Sequence, residues 1–468
     1  MDAGTSAVSE CYTSDFERMP RSNSRRTKPA KVLSKQNKTA NAVSRLTKSA
    51  KALPISLLGH AQRAKKKFPW TAFRHFAAAF LLTILIAVIY GRIAWGMFIG
   101  SNDFYSHIAL AGQFYNTGRP PVPHFLFHGL TAGLYALHFA SSLVAAGRFW
   151  MIACYVAIPL IIYGILRIEF KNSFVDRPLI LFAVALAALV AQPITMAQAY
   201  ALGYFWPEPY QIPTSTLLKP FALAGFWLTF WYLTRRDRMN PFLTTFFALT
   251  TVAGALSKPS YMICILPAAT LFGLYRLHRG LPVSTKGLLL GLYLPGAAVL
   301  AWQFYSTYVG QKVAGTYHDS IDWAPFKFMS YWATGLLSKF LLSIAFPLAV
   351  AVVYWKQARR DALLQLSWLT FLFGSFYSYM IAERVYWGAG NFVWSGYITD
   401  FLLIVGSVVF WLRQISLKPS SGWPRLGAVL CGAVLLIHTV SGIRMDWLYL
   451  THYGCPLNFR DAKFACSP

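Results

Sequence analysis

An acid that opens a polar segment directly after a long apolar run is well placed to do chemistry, and Asp103 is such a residue. It follows Ser101 and Asn102 at the end of the apolar run 76–98, and His107 stands four residues on, on the same face of a helix. Phe104, Ile108, Ala111 and Tyr115 form the opposing apolar face, so the segment reads as an amphipathic helix lying flat on a membrane. A carboxylate at the lip of a pocket takes a proton from an attacking hydroxyl or holds a divalent cation. In a first helical turn it equally complements the dipole and caps free N–H groups. His124 and His128 have the i, i+4 spacing of a metal pair without a third ligand, a pattern that interfacial histidines also produce. No metal site is read from these residues.

Three cations, Arg148, Lys219 and Lys258, each begin an apolar run from the same side. Cations so placed bind the phosphates of an anionic lipid carrier, Arg through a bidentate fork and Lys as a point charge. Snorkelling to the interface is the plainer alternative. Lys219-Pro220 and Lys258-Pro259 both put Pro just inside a helix start. Glu208 sits in the aromatic, proline-stiffened stretch Tyr204-Phe205-Trp206-Pro207-Glu208-Pro209-Tyr210, where rings stack on sugars and a carboxylate orients hydroxyls. The same stretch also reads as an interfacial aromatic belt. Glu383 and Arg384, followed by Trp387, Gly388, Gly390, Asn391 and Trp394, repeat that flavour, although adjacent opposite charges also neutralise one another.

Positioning such residues falls to apolar helices. The 468 residues are 56% hydrophobic and only 13% charged, where a soluble protein carries about a quarter charged residues. Apolar runs long enough to cross a ~30 Å hydrocarbon core recur from residue 76 to residue 443. A soluble enzyme, a secreted disulfide scaffold and a nucleic-acid-binding protein are thereby excluded. The formal charge of +27 is concentrated at the start: residues 1–70 hold fifteen Lys and Arg against four acids. That tail is too poor in apolar residues to fold alone. It reads as a basic cytoplasmic segment against anionic lipid or as a plain disordered leader, and it is not a cleavable secretory signal. Cys154, Cys264 and Cys431 lie in apolar runs, while Cys455 and Cys466 are able to pair if that end faces an oxidising compartment.

The positive-inside rule orients the runs. With 1–70 in the cytoplasm and 124–143 lying in the outer interface, spans fall at about 76–98, 149–167, 178–195, 215–234, 241–257, 260–276, 286–306, 332–354, 362–382, 393–412 and 425–443. Each cytoplasmic turn then holds three basic residues, such as Arg167, Lys171 and Arg177 or Lys356, Arg359 and Arg360. Letting 124–143 cross inverts the bias. The expectation is an all-α, polytopic transmembrane bundle of about eleven spans with short amphipathic helices in the first outer loop. It divides into a basic tail 1–70, a transmembrane domain 71–445 and a short outer tail 446–468. No internal repeat is visible, which weighs against an inverted-repeat transporter.

This order, an acid opening an amphipathic helix after the first span, then a Pro/His-rich half-buried helix, then an Arg before the second span, resembles the GT-C superfamily of membrane glycosyltransferases. Asn102-Asp103-Phe104 matches the family's first-loop acid, and Pro121-Val122-Pro123-His124-Phe125-Leu126 loosely matches its His-Pro-Pro-Leu segment. Leu218-Lys219-Pro220-Phe221-Ala222, Ser257-Lys258-Pro259-Ser260-Tyr261 and Gly390-Asn391-Phe392-Val393-Trp394 look like segments of an uncharacterised bacterial branch of that superfamily. The similarity covers about 76–412. The second first-loop acid of many members is Phe104 here, and no Trp-Trp-Asp signature occurs.

The resemblance implies an inner-membrane enzyme, N-terminus cytoplasmic and C-terminus periplasmic, that moves a monosaccharide from a polyprenyl-phosphate carrier to a lipid or glycan acceptor with inversion. Asp103 would act on the acceptor hydroxyl; His107, His124, Arg148, Glu208, Lys219, Lys258, Glu383, Arg384 and Asn391 would bind substrate. A divalent cation stays open as cofactor, and the sequence requires none. Membrane lipids, the sugar donor and the acceptor are the expected partners, and nucleic acid is not. A polysaccharide polymerase or ligase, or a transporter of lipid-linked glycans, is the alternative.

Overall fold

The polar segments are held by a bundle of helices. The computed structural model describes residues 70–100, 102–194, 203–207, 212–235, 240–310, 320–385, 387–417, 423–451, 457–458 and 463–464. The basic tail up to residue 69, Glu208, Cys455 and Cys466 lie outside the described residues. In chain order come α1 (Trp70–Gly100), α2 (Asn102–Thr117), α3 (Leu126–Ala136), α4 (Leu143–Glu169), α5 (Pro178–Val190), α6 (Pro213–Thr234), α7 (Pro241–Ser257) and α8 (Met262–His278). Next are α9 (Thr285–Val309), β1 (Ile321–Trp323), α10 (Lys327–Trp332), α11 (Leu336–Ser343), α12 (Ala345–Val353) and α13 (Trp355–Ala358). The chain continues through α14 (Ala362–Met380), β2 (Ile381–Glu383), α15 (Val393–Ser416) and α16 (Trp423–Thr451).

The architecture is all-α, and α1, α4, α9, α15 and α16 are each long and apolar enough to cross a membrane. Helix starts follow local chemistry. Pro178, Pro213 and Pro241 occupy first positions, where no N–H is needed. Ser142, Asn240 and Asp361 accept the N–H groups of Ala145, Leu243 and Leu364. The stretch 124–143, read as lying in the interface, contains only the 11-residue α3. At 1.5 Å per residue that is about 16 Å, too short to cross.

Against the eleven spans expected, five helices among the described residues, or six if one bent pair counts as a span, are long and apolar enough to cross, and two of the expected runs are cut short. The expected span 332–354 is broken, α11 and α12 meeting at 67°. Pro347 has no N–H to give the Ser343 carbonyl, so the helix stops at Ser343 and restarts at Ala345, where Pro347 sits in a tolerated first turn. The expected span 178–195 ends at Val190, because Gln192 precedes Pro193 and is pushed out of helical geometry. The extended piece is tied to α16 instead: Gln192 N–H donates to the His438 carbonyl at 3.1 Å, and the Ser441 hydroxyl donates to the Pro193 carbonyl at 2.6 Å. The last helix runs to Thr451, six residues beyond the boundary read at 445.

The bundle has two chemically distinct ends. At one, Arg413 from the last turn of α15 bridges Glu169 at the end of α4 (2.6 Å) and Asp361 at the start of α14 (2.9 Å). Three of the basic turns therefore meet at this end. About 40 Å away, at the other end of the 27-residue α4, lie α2 and α3. The opposite ends of α14 and α15 point the same way. Those two helices form the most extensive pair in the bundle, because Gly374 lets α14 approach the Thr399 side chain and the Ser395 carbonyl.

Candidate functional site

At the α2/α3 end, segments distant in sequence bring their few polar groups together. Asp103 stands in the first turn of α2, whose apolar residues Phe104 and Ala111 are fully buried, with Phe114 stacked on Phe125 at 5.9 Å. One turn on, His107 Nδ1 lies 2.8 Å from His128 Nε2 of α3, with the rings stacked at 23°. His128 is fully buried, and so locks the two short helices together. His124 lies in the turn before α3. Gln303 of α9 fastens that turn by donating to the Pro123 carbonyl (3.3 Å) and to the Ala255 carbonyl of α7 (2.8 Å).

Three residues past Ala255 comes Lys258, the C-cap of α7, whose N–H donates to the Gly254 carbonyl. Its ammonium is nearly enclosed and lies 4.9 Å over the Trp394 ring. Its charge is supported by Glu383. The β1–β2 ladder pairs Ile321 with Glu383, Asp322 with Ala382 and Trp323 with Ile381. Glu383 accepts from Asn391 Nδ2 at 2.6 Å and from the Tyr308 hydroxyl at 3.2 Å. Gly390 makes the turn to Asn391 possible: its φ of +62° is in the left-handed region, and a Cβ there would press on the Phe328 ring at 2.5 Å.

The electrostatics are coupled through Lys258. Burial lowers its pKa to about 8, while Asp103 and Glu383 support its charge. Desolvation pushes the Asp103 carboxyl above its ordinary value, and Lys258 opposes that rise. Burial, helped at His107 and His124 by the neighbouring His128 and Lys258, holds His107 down to about 2 and His124 to about 3, and burial alone holds His128 to about 4. The cluster therefore sets one cation, supported by two acidic side chains, beside three imidazoles that are uncharged at neutral pH. It unites a carboxylate of raised basicity with a cation able to meet a developing negative charge.

Of the residues singled out in the sequence, Asp103, His107, His124, Lys258, Glu383 and Asn391 are brought together. Lys219 is buried within α6, its ammonium 5.3 Å over the Phe401 ring. Arg148 stacks at 3.8 Å on Trp95 of α1 and donates to the Trp95 carbonyl at 3.5 Å. Arg384 points away from Glu383, because successive strand residues face opposite sides. Its side chain is 73% exposed and lies 3.8 Å from Asp322. Glu208 is outside the described residues. Tyr308 and Gln303 join the cluster without any signal in the sequence, since they belong to an ordinary aromatic helix end. Among the described residues, no set of three His, Cys, Asp or Glu side chains is arranged to hold a metal ion. The sequence matches no known protein family and no characterised protein.

Proposed function

We propose that the chain is a membrane glycosyltransferase of the GT-C type, working at the outer face of a bacterial inner membrane. The observation that carries this reading is the convergence of Asp103, Lys258 and Glu383 from three distant segments at the end of the bundle away from the basic turns. With those turns in the cytoplasm, the cluster faces outward. The eleven-span arrangement belongs to the same reading: the shorter or bent helices complete their crossings screened from lipid by neighbours.

In this mechanism a monosaccharide arrives on a polyprenyl phosphate. The acceptor hydroxyl gives its proton to Asp103 as its oxygen attacks the anomeric carbon. The carbon–oxygen bond to the phosphate breaks, the configuration inverts, and the carrier phosphate leaves with the electron pair. Lys258 meets that departing charge, and Glu383, fixed by Asn391 and Tyr308, supports the charge of the ammonium. The uncharged histidines line the site without competing for the phosphate as cations. Proteoliposomes containing the purified chain and a polyprenyl-phosphate sugar test this directly. Label appearing on an added acceptor supports transfer, whereas movement of intact donor across the bilayer with no new glycosidic bond identifies a transporter instead.

A further inference from the structure

Asp400 lies seven residues into α15, about 10 Å from its start, on the most enclosed of the five long apolar helices. It is fully buried, and both of its carboxyl oxygens are without a hydrogen-bond partner among the described residues. Single buried hydroxyls in this condition recur through the bundle, as at Thr131, Ser395 and Ser407, and each is a small cost. A carboxyl group differs in kind, because its charged form is not tolerated in an apolar interior without a counter-charge. The other two buried acids among the described residues have partners: Asn391 and Tyr308 donate to Glu383, and the Tyr90 hydroxyl donates to Asp446.

No cation of the described chain answers Asp400. The Lys219 ammonium of α6 lies 5.3 Å over the neighbouring Phe401 ring and makes no ion pair with it. His438 of α16 is committed on both ring nitrogens. Its Nδ1 donates to the Gln192 carbonyl at 2.8 Å, and its Nε2 accepts the Phe346 N–H at 3.3 Å, the arrangement of an uncharged ring. The helices packed against α15 otherwise bring Tyr377, Tyr379, Cys264 and Asp446 to this end, none a cation, and Arg444 is exposed.

The segment opposite Asp400 is the break between α11 and α12. Gly396, Asp400 and Trp411 share one face of α15. The Phe205 ring packs on Gly396, and the Phe205 N–H donates to the hydroxyl of Ser343, the last residue of α11, at 2.9 Å. Trp411 meets the ring of Phe346, in the first turn of α12, edge-on at 6.2 Å. Asp400 falls between these two contacts. A helix ends in carbonyls and the negative pole of its dipole, so α11 closes on a feature of the same sign as a carboxylate. The start of α12 compensates little: Pro347 has no N–H, and that of Phe346 is taken by His438.

We propose that Asp400 and the end of α11 form a site for a small monovalent cation, a proton or a sodium ion, inside the bundle. The carboxylate supplies the charge, and a broken helix supplies backbone oxygens at membrane depth. The site stands apart from the glycosyltransferase reading, and neither falls with the other.

Thermal unfolding of the full chain in detergent, followed by tryptophan fluorescence, tests the proposal. Sodium chloride is compared with choline chloride at equal ionic strength and about pH 8, and sodium-free buffers cover about pH 6 to 9. The occupant is expected to raise the unfolding temperature of the parent by about 3 °C or more beyond any shift in Asp400→Asn, whose amide carries no charge to be met. A rise with sodium in the parent alone assigns sodium, and a rise with acid in the parent alone assigns the proton. Equal shifts in parent and variant, or none in either, overturn the site. Should Asp400→Asn fail to fold, labelling of the parent by dicyclohexylcarbodiimide, an apolar reagent for protonated carboxyls, takes its place. Mass spectrometry should find the label on Asp400 in choline chloride, suppressed about tenfold by sodium if sodium is the occupant and unchanged if it is the proton. Asp400 left unlabelled in both salts overturns the site.

Discussion

Replacing Lys258 by Met removes the one charge that couples to both carboxylates of the cluster. Lys258 and Glu383 are each only 8% exposed, so the change leaves an enclosed carboxylate without its counter-charge. Losing a buried charged interaction of this kind costs about 1–3 kcal/mol. Asn391 and Tyr308 still donate to Glu383, which puts the expected loss at about 2 kcal/mol. Glu383→Gln should cost about 2 kcal/mol by weakening the same interaction from the other side. The double variant Lys258→Met/Glu383→Gln leaves neither charge stranded, so its loss should fall short of the sum by about 1–3 kcal/mol. Thermal unfolding of all four proteins in one detergent, followed by tryptophan fluorescence, measures the cycle. Strictly additive shifts in unfolding temperature, or a Lys258→Met protein as stable as the parent, would refute the electrostatic coupling on which the site is built.

Acid should unfold the protein through its buried histidines. His128 titrates near 6.5 when unfolded and at about 4 in the folded, fully buried state, so its contribution is complete above pH 6.5 and is lost as the pH falls toward 4. That difference amounts to about 3 kcal/mol, and His128→Phe should flatten the pH dependence of unfolding over this window. Transfer should decline above about pH 8 as Lys258 loses its proton, a limb that Lys258→Arg should move to higher pH. At the basic end, Arg413→Lys cannot reach both Glu169 and Asp361 with a rigid fork and should lower stability by about 1 kcal/mol. Gly374→Ala should cost about 1–3 kcal/mol, because its Cβ would collide with the Thr399 side chain and the Ser395 carbonyl.

Much of the polar cluster was legible because apolar helices ration charge. Asp103, Lys258 and Glu383 stood out as ionisable groups at the ends of apolar runs, and the same scarcity brings them to one place in the fold. The lysine and arginine bias marked the turns that Arg413 draws together. Arg148 and Arg384 were indistinguishable from Lys258 in sequence, because the difference lies in distant partners. Arg148 is stacked on a tryptophan 53 residues earlier, and Arg384 is turned outward by the β1–β2 ladder. The spacing of His124 and His128 suggested a pair, but the partner of His128 is His107, across the hairpin of α2 and α3. Hydropathy also could not reveal where helices stop inside an apolar run. The break before Ala345 and the early end of α5 depend on single prolines, Pro347 and Pro193.

We propose that Asp103 and Lys258 serve a group-transfer reaction on an outward-facing surface. The most direct test is mass spectrometry of envelope glycans and lipid-linked sugars in cells that carry the intact protein or its Asp103→Asn variant at equal membrane abundance. One glycan lacking a single sugar residue is expected in the variant, with the corresponding polyprenyl-phosphate sugar accumulating. An unchanged glycan and carrier profile in the variant, beside a clear change on removing the whole protein, would contradict it.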